Sequence, residues 1–277
     1  MNKKMVMIPI LLGTLTLAGC GGSYSSDSSS GGGNSYGSNN NNYGKTMDDT
    51  AKKDTKSSSD TATLSQKDVF ATVKSKLTTD VIVMLPKNIP LSSKKDYLSA
   101  KTTSTSDNYQ VVFYETKQPI SVNSADLKDT EKATPLVTVS GKKYATEQEA
   151  ADATGHMDNV NTGVNGVDLG SGITGYSDAG AGSTFLSWAE GRWSLSVRNT
   201  TSGDQQDSID LAKKVVAKLE TETLPAPHQV GGVKLEAVPN RADGNRISWQ
   251  DGATAYMVTQ FADPLDGISV ATSFTDL

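Results

Sequence analysis

Residues Phe185–Val197, which read FLSWAEGRWSLSV, carry the clearest structural pattern in this chain. Trp193, Leu195 and Val197 alternate with polar residues, and such alternation gives a strand one buried face and one solvated face. The pair Glu190-Gly191 interrupts the pattern, and glycine tolerates the backbone conformations that tight hairpin turns require. The stretch therefore predicts an antiparallel β-hairpin that turns at Glu190-Gly191.

Further strands and helices are predicted on both sides of this hairpin. Hydrophobic and β-branched runs favour strands at Tyr109–Tyr114, at Leu136–Val139 with a turn at Gly141, and around Val233–Val238, Arg246–Gln250 and Ala255–Phe261. Capping residues and helical periodicity predict helices after Ser65, after Thr146, from about Ser208 to Glu220 and at 264–273. Val81–Leu85 is expected to be a short buried strand or an extended run. Residues 158–182 are expected to be irregular, with brief extended pieces near Val167 and Ile173.

Strands outnumber helices in this pattern, and short turns outnumber crossover helices. We therefore expect an α+β fold with a mainly antiparallel sheet and about three helices. A helix followed by Leu-Pro occurs twice, at Leu85-Pro86 and at Leu224-Pro225, with strands after each. This repetition favours two related α+β units, over 64–155 and 156–277, although one continuous sheet also fits it.

The first 20 residues have the pattern of an export signal. Lys3 and Lys4 precede an apolar run from Met5 to Leu17, which is too short to cross roughly 30 Å of bilayer hydrocarbon as a helix. The run ends in Leu17-Ala18-Gly19-Cys20, which resembles the lipobox of bacterial lipoproteins. The resemblance implies that residues 1–19 are removed and that Cys20 becomes the lipidated first residue. Two acyl chains would then attach the protein to the membrane.

Residues 20–63 are predicted to form the lipidated cysteine and a disordered tether. Serine, glycine and asparagine dominate this segment, and positions 21–63 contain no Val, Ile, Leu, Phe or Trp. Such a sequence cannot bury enough apolar surface to offset the entropy of ordering the chain. A flexible coil of this length has a root-mean-square reach of roughly 35–40 Å.

Charge and cysteine content exclude several classes of function. The chain has a net charge of −5, whereas nucleic-acid binding requires a basic surface. Its single cysteine excludes a disulfide framework and any multi-cysteine zinc site. The loop with Asp158, Asn159, Asn161, Asn165 and Asp168 offers oxygen ligands but lacks the EF-hand order. We therefore expect no cofactor, no metal and no nucleic-acid partner.

Two groups of residues are candidates for a functional site. His156 and His228 are the only histidines, and either could form a hydrolytic site with a serine or a carboxylate. The predicted strands also carry all three tryptophans, Trp188, Trp193 and Trp249, with Tyr256 nearby. These aromatic residues could form the floor of a binding groove for a lipid, glycan or peptide, or they could belong to the core.

The sequence thus predicts a non-enzymatic, lipid-anchored protein that binds a ligand or partner at the cell envelope. The expected location is the extracytoplasmic face of the cell membrane, with a Gram-positive bacterium favoured as the host. The expected partners are the membrane, through the lipid on Cys20, and an envelope protein, glycan or lipid. The alternative is a cell-envelope hydrolase that uses a Ser/His or acid-pair site.

Overall fold

The computed structural model describes residues 65–160, 166–238 and 241–274. The predicted signal sequence, Cys20, the tether and Leu64 lie outside the described residues. The described chain contains four α-helices: α1 Gln66–Lys76, α2 Glu147–Ala153, α3 Gln205–Leu219 and α4 Pro264–Thr272. It also contains ten strands: β1 Tyr97–Thr105, β2 Asn108–Thr116, β3 Ala133–Lys143, β4 Gly166–Gly170, β5 Ile173–Gly180, β6 Ser183–Glu190, β7 Trp193–Thr200, β8 Gly231–Glu236, β9 Arg246–Asp251 and β10 Thr254–Thr259.

The ten strands form one sheet in the order β1-β2-β3-β10-β9-β8-β7-β6-β5-β4. Every neighbouring pair is antiparallel except β7 and β8, which are parallel. That exception arises because α3 lies between β7 and β8 in the chain, and parallel neighbours need such a crossover connection. The predicted α+β class with a mainly antiparallel sheet is confirmed, with four helices in place of about three.

The same order of elements, a helix and then a three-stranded meander, occurs on both sides of the β3–β10 pair. Helix α1 precedes the meander β1-β2-β3, and α3 precedes the meander β8-β9-β10. The last strands of the two meanders pair with each other in antiparallel register, from Thr254 opposite Lys143 to Thr259 opposite Thr138. The predicted division at 155/156 stays a prediction, and the sheet is continuous across the two predicted units.

Several local predictions need correction. The chain does not turn at Gly141, which lies within β3 and pairs with Tyr109 and Tyr256 on the neighbouring strands. The segment 158–182 is less irregular than expected, since the extended pieces predicted near Val167 and Ile173 are the complete strands β4 and β5. Strand β1 was not expected, because its sequence YLSAKTTST is rich in serine and threonine. Of the two alternatives for Val81–Leu85, the extended run outside the sheet is the one observed.

Helices cover most of one face of the sheet. Helix α1 packs Phe70 edge-on against Phe113 of β2, with ring centroids 5.6 Å apart. Near the other end of the chain, Phe274, just after α4, packs edge-on against Trp249 of β9 at 5.1 Å. Helix α3 lies on the same face, over β4, β6 and β7. The short helix α2 packs on the opposite face, where the hydroxyl of Ser248 donates to the carbonyl oxygen of Thr154.

Candidate functional site

The four aromatic residues predicted as a binding groove lie in the core. Trp188, Trp193, Trp249 and Tyr256 are 0%, 6%, 1% and 2% exposed. A ligand can contact only side chains that are open to solvent, so these four do not form the floor of a groove among the described residues. Of the two alternatives that the sequence left open, groove floor or core, the structure shows that these residues belong to the core.

Most of these side chains belong to one row that crosses six strands. The row consists of register neighbours on β2, β3, β10, β9, β8 and β7: Tyr109, Gly141, Tyr256, Trp249, Gly231 and Trp193. Within it, the rings of Trp249 and Tyr256 stack with centroids 5.7 Å apart. We call this set the aromatic row. Trp188 lies beside it on β6, and its indole Nε1 donates to Glu190 Oε1 at 2.8 Å.

An open apolar groove lies above one end of the aromatic row. It runs between α1 and the extended residues 83–87 and has a volume of about 470 Å³. That volume falls within the range of small-molecule sites in proteins. Its lining combines apolar side chains with three lysines: Phe70, Ala71, Val83, Met84, Leu85, Pro86, Phe274, Lys67, Lys74 and Lys87. We call this site the α1 groove.

The sequence of α1 explains how the helix forms one wall. The helix predicted after Ser65 begins with a capping box, in which the Ser65 hydroxyl accepts from the Asp68 amide and the Asp68 carboxylate accepts from the Ser65 amide. The Ser65 hydroxyl also donates to Asp68 Oδ2 at 2.6 Å, and this bond, with the one from the Ser65 amide, holds the pKa of the Asp68 carboxyl below its usual value. Val69 and Val73 are buried against the sheet. The groove residues Lys67, Phe70, Ala71 and Lys74 follow the i, i+3, i+4, i+7 spacing of a single helical face.

Two buried tyrosine hydroxyls of the aromatic row hold the other wall. The Tyr109 hydroxyl donates to the Met84 carbonyl oxygen at 2.8 Å and accepts from the Met84 amide at 3.1 Å. The Tyr256 hydroxyl donates to the Ile82 carbonyl oxygen at 3.0 Å. Burial raises the pKa of Tyr109 above its usual range. Burial, with the charge of Asp251, raises the pKa of Tyr256 to about 12. Both phenols are therefore neutral donors at physiological pH.

The ends of the extended wall are fixed by α1 and by the end of the chain. The Gln66 side-chain amide donates to the Ile89 carbonyl oxygen at 2.8 Å and accepts from the Ile89 amide at 2.9 Å. The Lys87 amide donates to the Ser273 carbonyl oxygen at 3.1 Å. Because these bonds use backbone groups of the segment, the wall keeps its place although it belongs to no sheet.

The α1 groove lies in the most basic part of the described chain. Residues 65–95 contain six lysines and two aspartates, whereas the whole chain has a net charge of −5. Three of the six lysines line the groove, two from α1 and one from the opposite wall. Lysine side chains cover apolar surface with their stems and keep the ammonium group in water. The groove can thus accept an apolar group and place positive charge at its rim.

Neither histidine forms the hydrolytic pair that the sequence left open. His156 Nδ1 lies 2.9 Å from the Gly231 carbonyl oxygen, and its Nε2 lies 3.8 Å from Asp158 Oδ1. His228 Nδ1 lies 4.0 Å from Glu147 Oε2. A general base has to reach its partner within about 2.6–3.2 Å, and neither imidazole does so with a described serine or carboxylate.

A second cavity, of about 440 Å³, lies between α3 and the start of α4 and is lined by several carboxylates. Three of these carboxylates have structural partners, and one of the three, Asp210, accepts from the Gln206 side-chain amide at 2.7 Å. Glu236 Oε2 lies 3.0 Å from Arg198 Nη1, and Asp263 caps α4 by accepting from the amides of Leu265 and Asp266. No group of three or more potential metal ligands is present in the described part of the chain. Asn161 and Asn165 of the predicted oxygen-rich loop lie outside it.

The α1 groove itself was not predicted from the sequence. Helical periodicity predicts that Phe70 lies on the buried face of the first helix, and the lysines beside it have the pattern of a solvated helix face. The one available signal was the apolar run Val81–Pro86 next to that helix. Its use as a wall depends on Tyr109, Tyr256 and Phe274, which come from distant parts of the sequence.

Comparisons of the chain with protein-family models, with curated proteins and with solved structures found no match in any of the three. Among the described residues, no helix combines the length and apolarity that crossing a bilayer would require.

Proposed function

We propose that this chain is a non-enzymatic binding protein of the bacterial cell envelope and that the α1 groove binds its ligand. A lipid on Cys20 would hold the protein at the extracytoplasmic face of the cell membrane. The observation that carries the binding role is the groove itself, an apolar recess of about 470 Å³ with two fixed walls. Preformed walls favour binding because less conformational freedom is lost when a ligand enters.

The position of the groove in the chain supports this proposal. Its first wall, α1, begins at Gln66, directly after the segment that the sequence predicts to be a tether. With a reach of roughly 35–40 Å, a tether from Cys20 would keep the groove close to the membrane surface. A ligand derived from the membrane or from the adjacent wall would then be within reach.

Ala71 offers a direct test of the groove as the binding site. It lines the groove and is exposed on α1, so a phenylalanine at this position would fill the recess without entering the core. We expect the neutral probe N-phenyl-1-naphthylamine to bind the full chain saturably, with a rise in fluorescence. Ala71→Phe should weaken this binding at least about tenfold, which corresponds to about 1.4 kcal/mol.

The matched control is Ala217→Phe, because Ala217 is also exposed on a helix but lies on α3 and does not line the groove. All proteins in this comparison carry Cys20→Ser, so that no acyl chain attached there competes with the probe. Equal probe affinity for Ala71→Phe and Ala217→Phe would rule out the groove as the site.

A further inference from the structure

We infer that the ligand of the α1 groove is a single-chain anionic amphiphile, meaning one acyl chain with a carboxylate or phosphate head group. The inference rests on the proposed function and specifies the ligand of the same site. Two features of the groove carry it, namely the chemistry of its interior and the placement of its charges.

The interior matches a flexible hydrocarbon chain. Seven of the ten lining residues are apolar, and they come from both walls and from Phe274 at the inner end. Met84 lies in the middle of the extended wall, and methionine adapts its unbranched side chain to irregular apolar shapes. Each methylene group that enters the groove is removed from contact with water, which favours binding of a hydrocarbon chain.

The rim matches a negatively charged head group. Lys67 and Lys74 lie two turns apart on one face of α1, and Lys87 belongs to the opposite wall. The two lysines of α1 can therefore bring positive charge to a head group at the rim of the groove. Lysine binds phosphate and carboxylate as a compact point charge with three donors.

The described surface favours a single chain over a bilayer as the occupant. Ile82 is the one exposed large hydrophobic residue in the described part of the chain, with 66% of its surface accessible. Insertion into a bilayer requires a contiguous apolar patch, and one isoleucine does not supply it. The apolar residues of the groove are recessed between two walls, where an individual acyl chain can enter.

Displacement of the neutral naphthylamine probe tests the inference. Dodecanoate, dodecyl phosphate and dodecanol are compared below their aggregation limits on the full chain with Cys20→Ser. We expect both anions to displace the probe at concentrations at least about tenfold lower than dodecanol does in low salt. That advantage should shrink in about 0.5 M NaCl, because salt screens exposed charges.

A triple substitution identifies the lysines responsible. Lys67→Gln, Lys74→Gln and Lys87→Gln together should reduce the ratio of anion affinity to dodecanol affinity to about one. The control triple Lys101→Gln, Lys143→Gln and Lys213→Gln makes the same change in net charge at exposed positions outside the groove. The control should keep the ratio of the parent protein.

The outcomes separate this inference from the proposed function. Equal affinity for dodecanol and the anions, with Ala71→Phe still blocking the probe, would overturn the inference alone. Failure of Ala71→Phe to weaken probe binding would overturn both. Co-sedimentation with phosphatidylglycerol vesicles without probe displacement by the monomeric anions would overturn the inference in favour of a bilayer surface.

Discussion

At the level of single residues, two glycines make room for the aromatic row. A Cβ atom on Gly141 would lie 2.5 Å from Tyr109 Cε1, and one on Gly231 would lie 2.6 Å from the Trp193 ring. Real Cβ atoms do not approach other atoms so closely. The rings of Tyr109 and Trp193 therefore occupy the space that side chains on β3 and β8 would otherwise fill.

We expect Gly141→Ala to lower the free energy of unfolding by about 1–3 kcal/mol, because the Tyr109 ring would have to move within a packed core. Urea unfolding followed by tryptophan fluorescence measures the change. Gly180→Ala is the control, since Gly180 also lies in a strand and its Cβ would meet no atom within 4 Å. Equal midpoints for the two variants would contradict this account of the row.

Ionisation of the Tyr256 phenol is expected to lower the free energy of unfolding at alkaline pH. Its pKa is raised from 10.0 to about 12, so the folded state favours the neutral, hydrogen-bonding form more than the unfolded state does. The resulting stabilisation is complete below about pH 10 and is lost as the pH rises toward 12. We expect the fall in unfolding free energy between pH 9 and 11.5 to be smaller in Tyr256→Phe than in the parent. Urea titrations at several pH values measure both, and identical pH dependence would count against this role.

The sequence pattern shows on which strands these aromatic side chains lie, but it does not show which residues they contact. Alternation along β7 and β9 shows which side chains share a face of the sheet. It does not show that α4 and residues 82–84 cover that face. The sequence left open whether Tyr256 lines a groove or belongs to the core, and the structure shows that its buried hydroxyl donates to the backbone of the groove wall at Ile82.

At the level of elements, the extended segment from Val81 to Leu91 depends on side chains for its position. Gln66 makes a pair of hydrogen bonds to the backbone of Ile89, as a neighbouring strand would. Loss of that amide would leave a donor and an acceptor of the segment without partners, which costs about 1–3 kcal/mol when such groups are buried.

Gln66→Ala should therefore accelerate amide hydrogen exchange in the segment around Ile89 more than in the strands. Exchange detected by mass spectrometry on peptic peptides provides the measurement. Gln148→Ala is a suitable control, because Gln148 is exposed on α2 and bonds only to Asp152, one turn away. Unchanged exchange around Ile89 in Gln66→Ala would show that other contacts hold the segment.

Elements with clear periodicity or capping residues were predicted well, whereas strand β1 was not. The hairpin of β6 and β7, the two longer helices and β8–β10 appear close to their expected positions, because their apolar residues recur with a clear period. The buried residues of strand β1 are Leu98, Ser99 and Ala100. Small and polar residues at buried positions give no hydrophobic signal. The segment is a strand because it pairs with β2.

At the level of the whole molecule, the sheet brings both ends of the described chain to one site. The α1 groove takes one wall from the first helix and its inner end from Phe274, because β3 pairs with β10 at the centre of the sheet. The sequence could not reveal this meeting of distant segments, since no local pattern encodes which strands become neighbours. A ligand in the groove would contact residues separated by about two hundred positions.

The largest-scale prediction concerns attachment of the entire protein. If Cys20 carries two acyl chains, membrane binding is stable, whereas a single chain holds a protein only marginally. We expect Cys20→Ser to abolish metabolic labelling with a fatty acid and to move the protein out of the membrane fraction. Ser23→Ala should leave both unchanged, since it alters a polar residue beside the lipobox and keeps Leu17–Cys20 intact. Because the α1 groove does not involve Cys20, the released protein should still bind the neutral probe. Retention of the Cys20→Ser protein in the membrane fraction would mean that some contact other than a lipid on this cysteine holds the chain there.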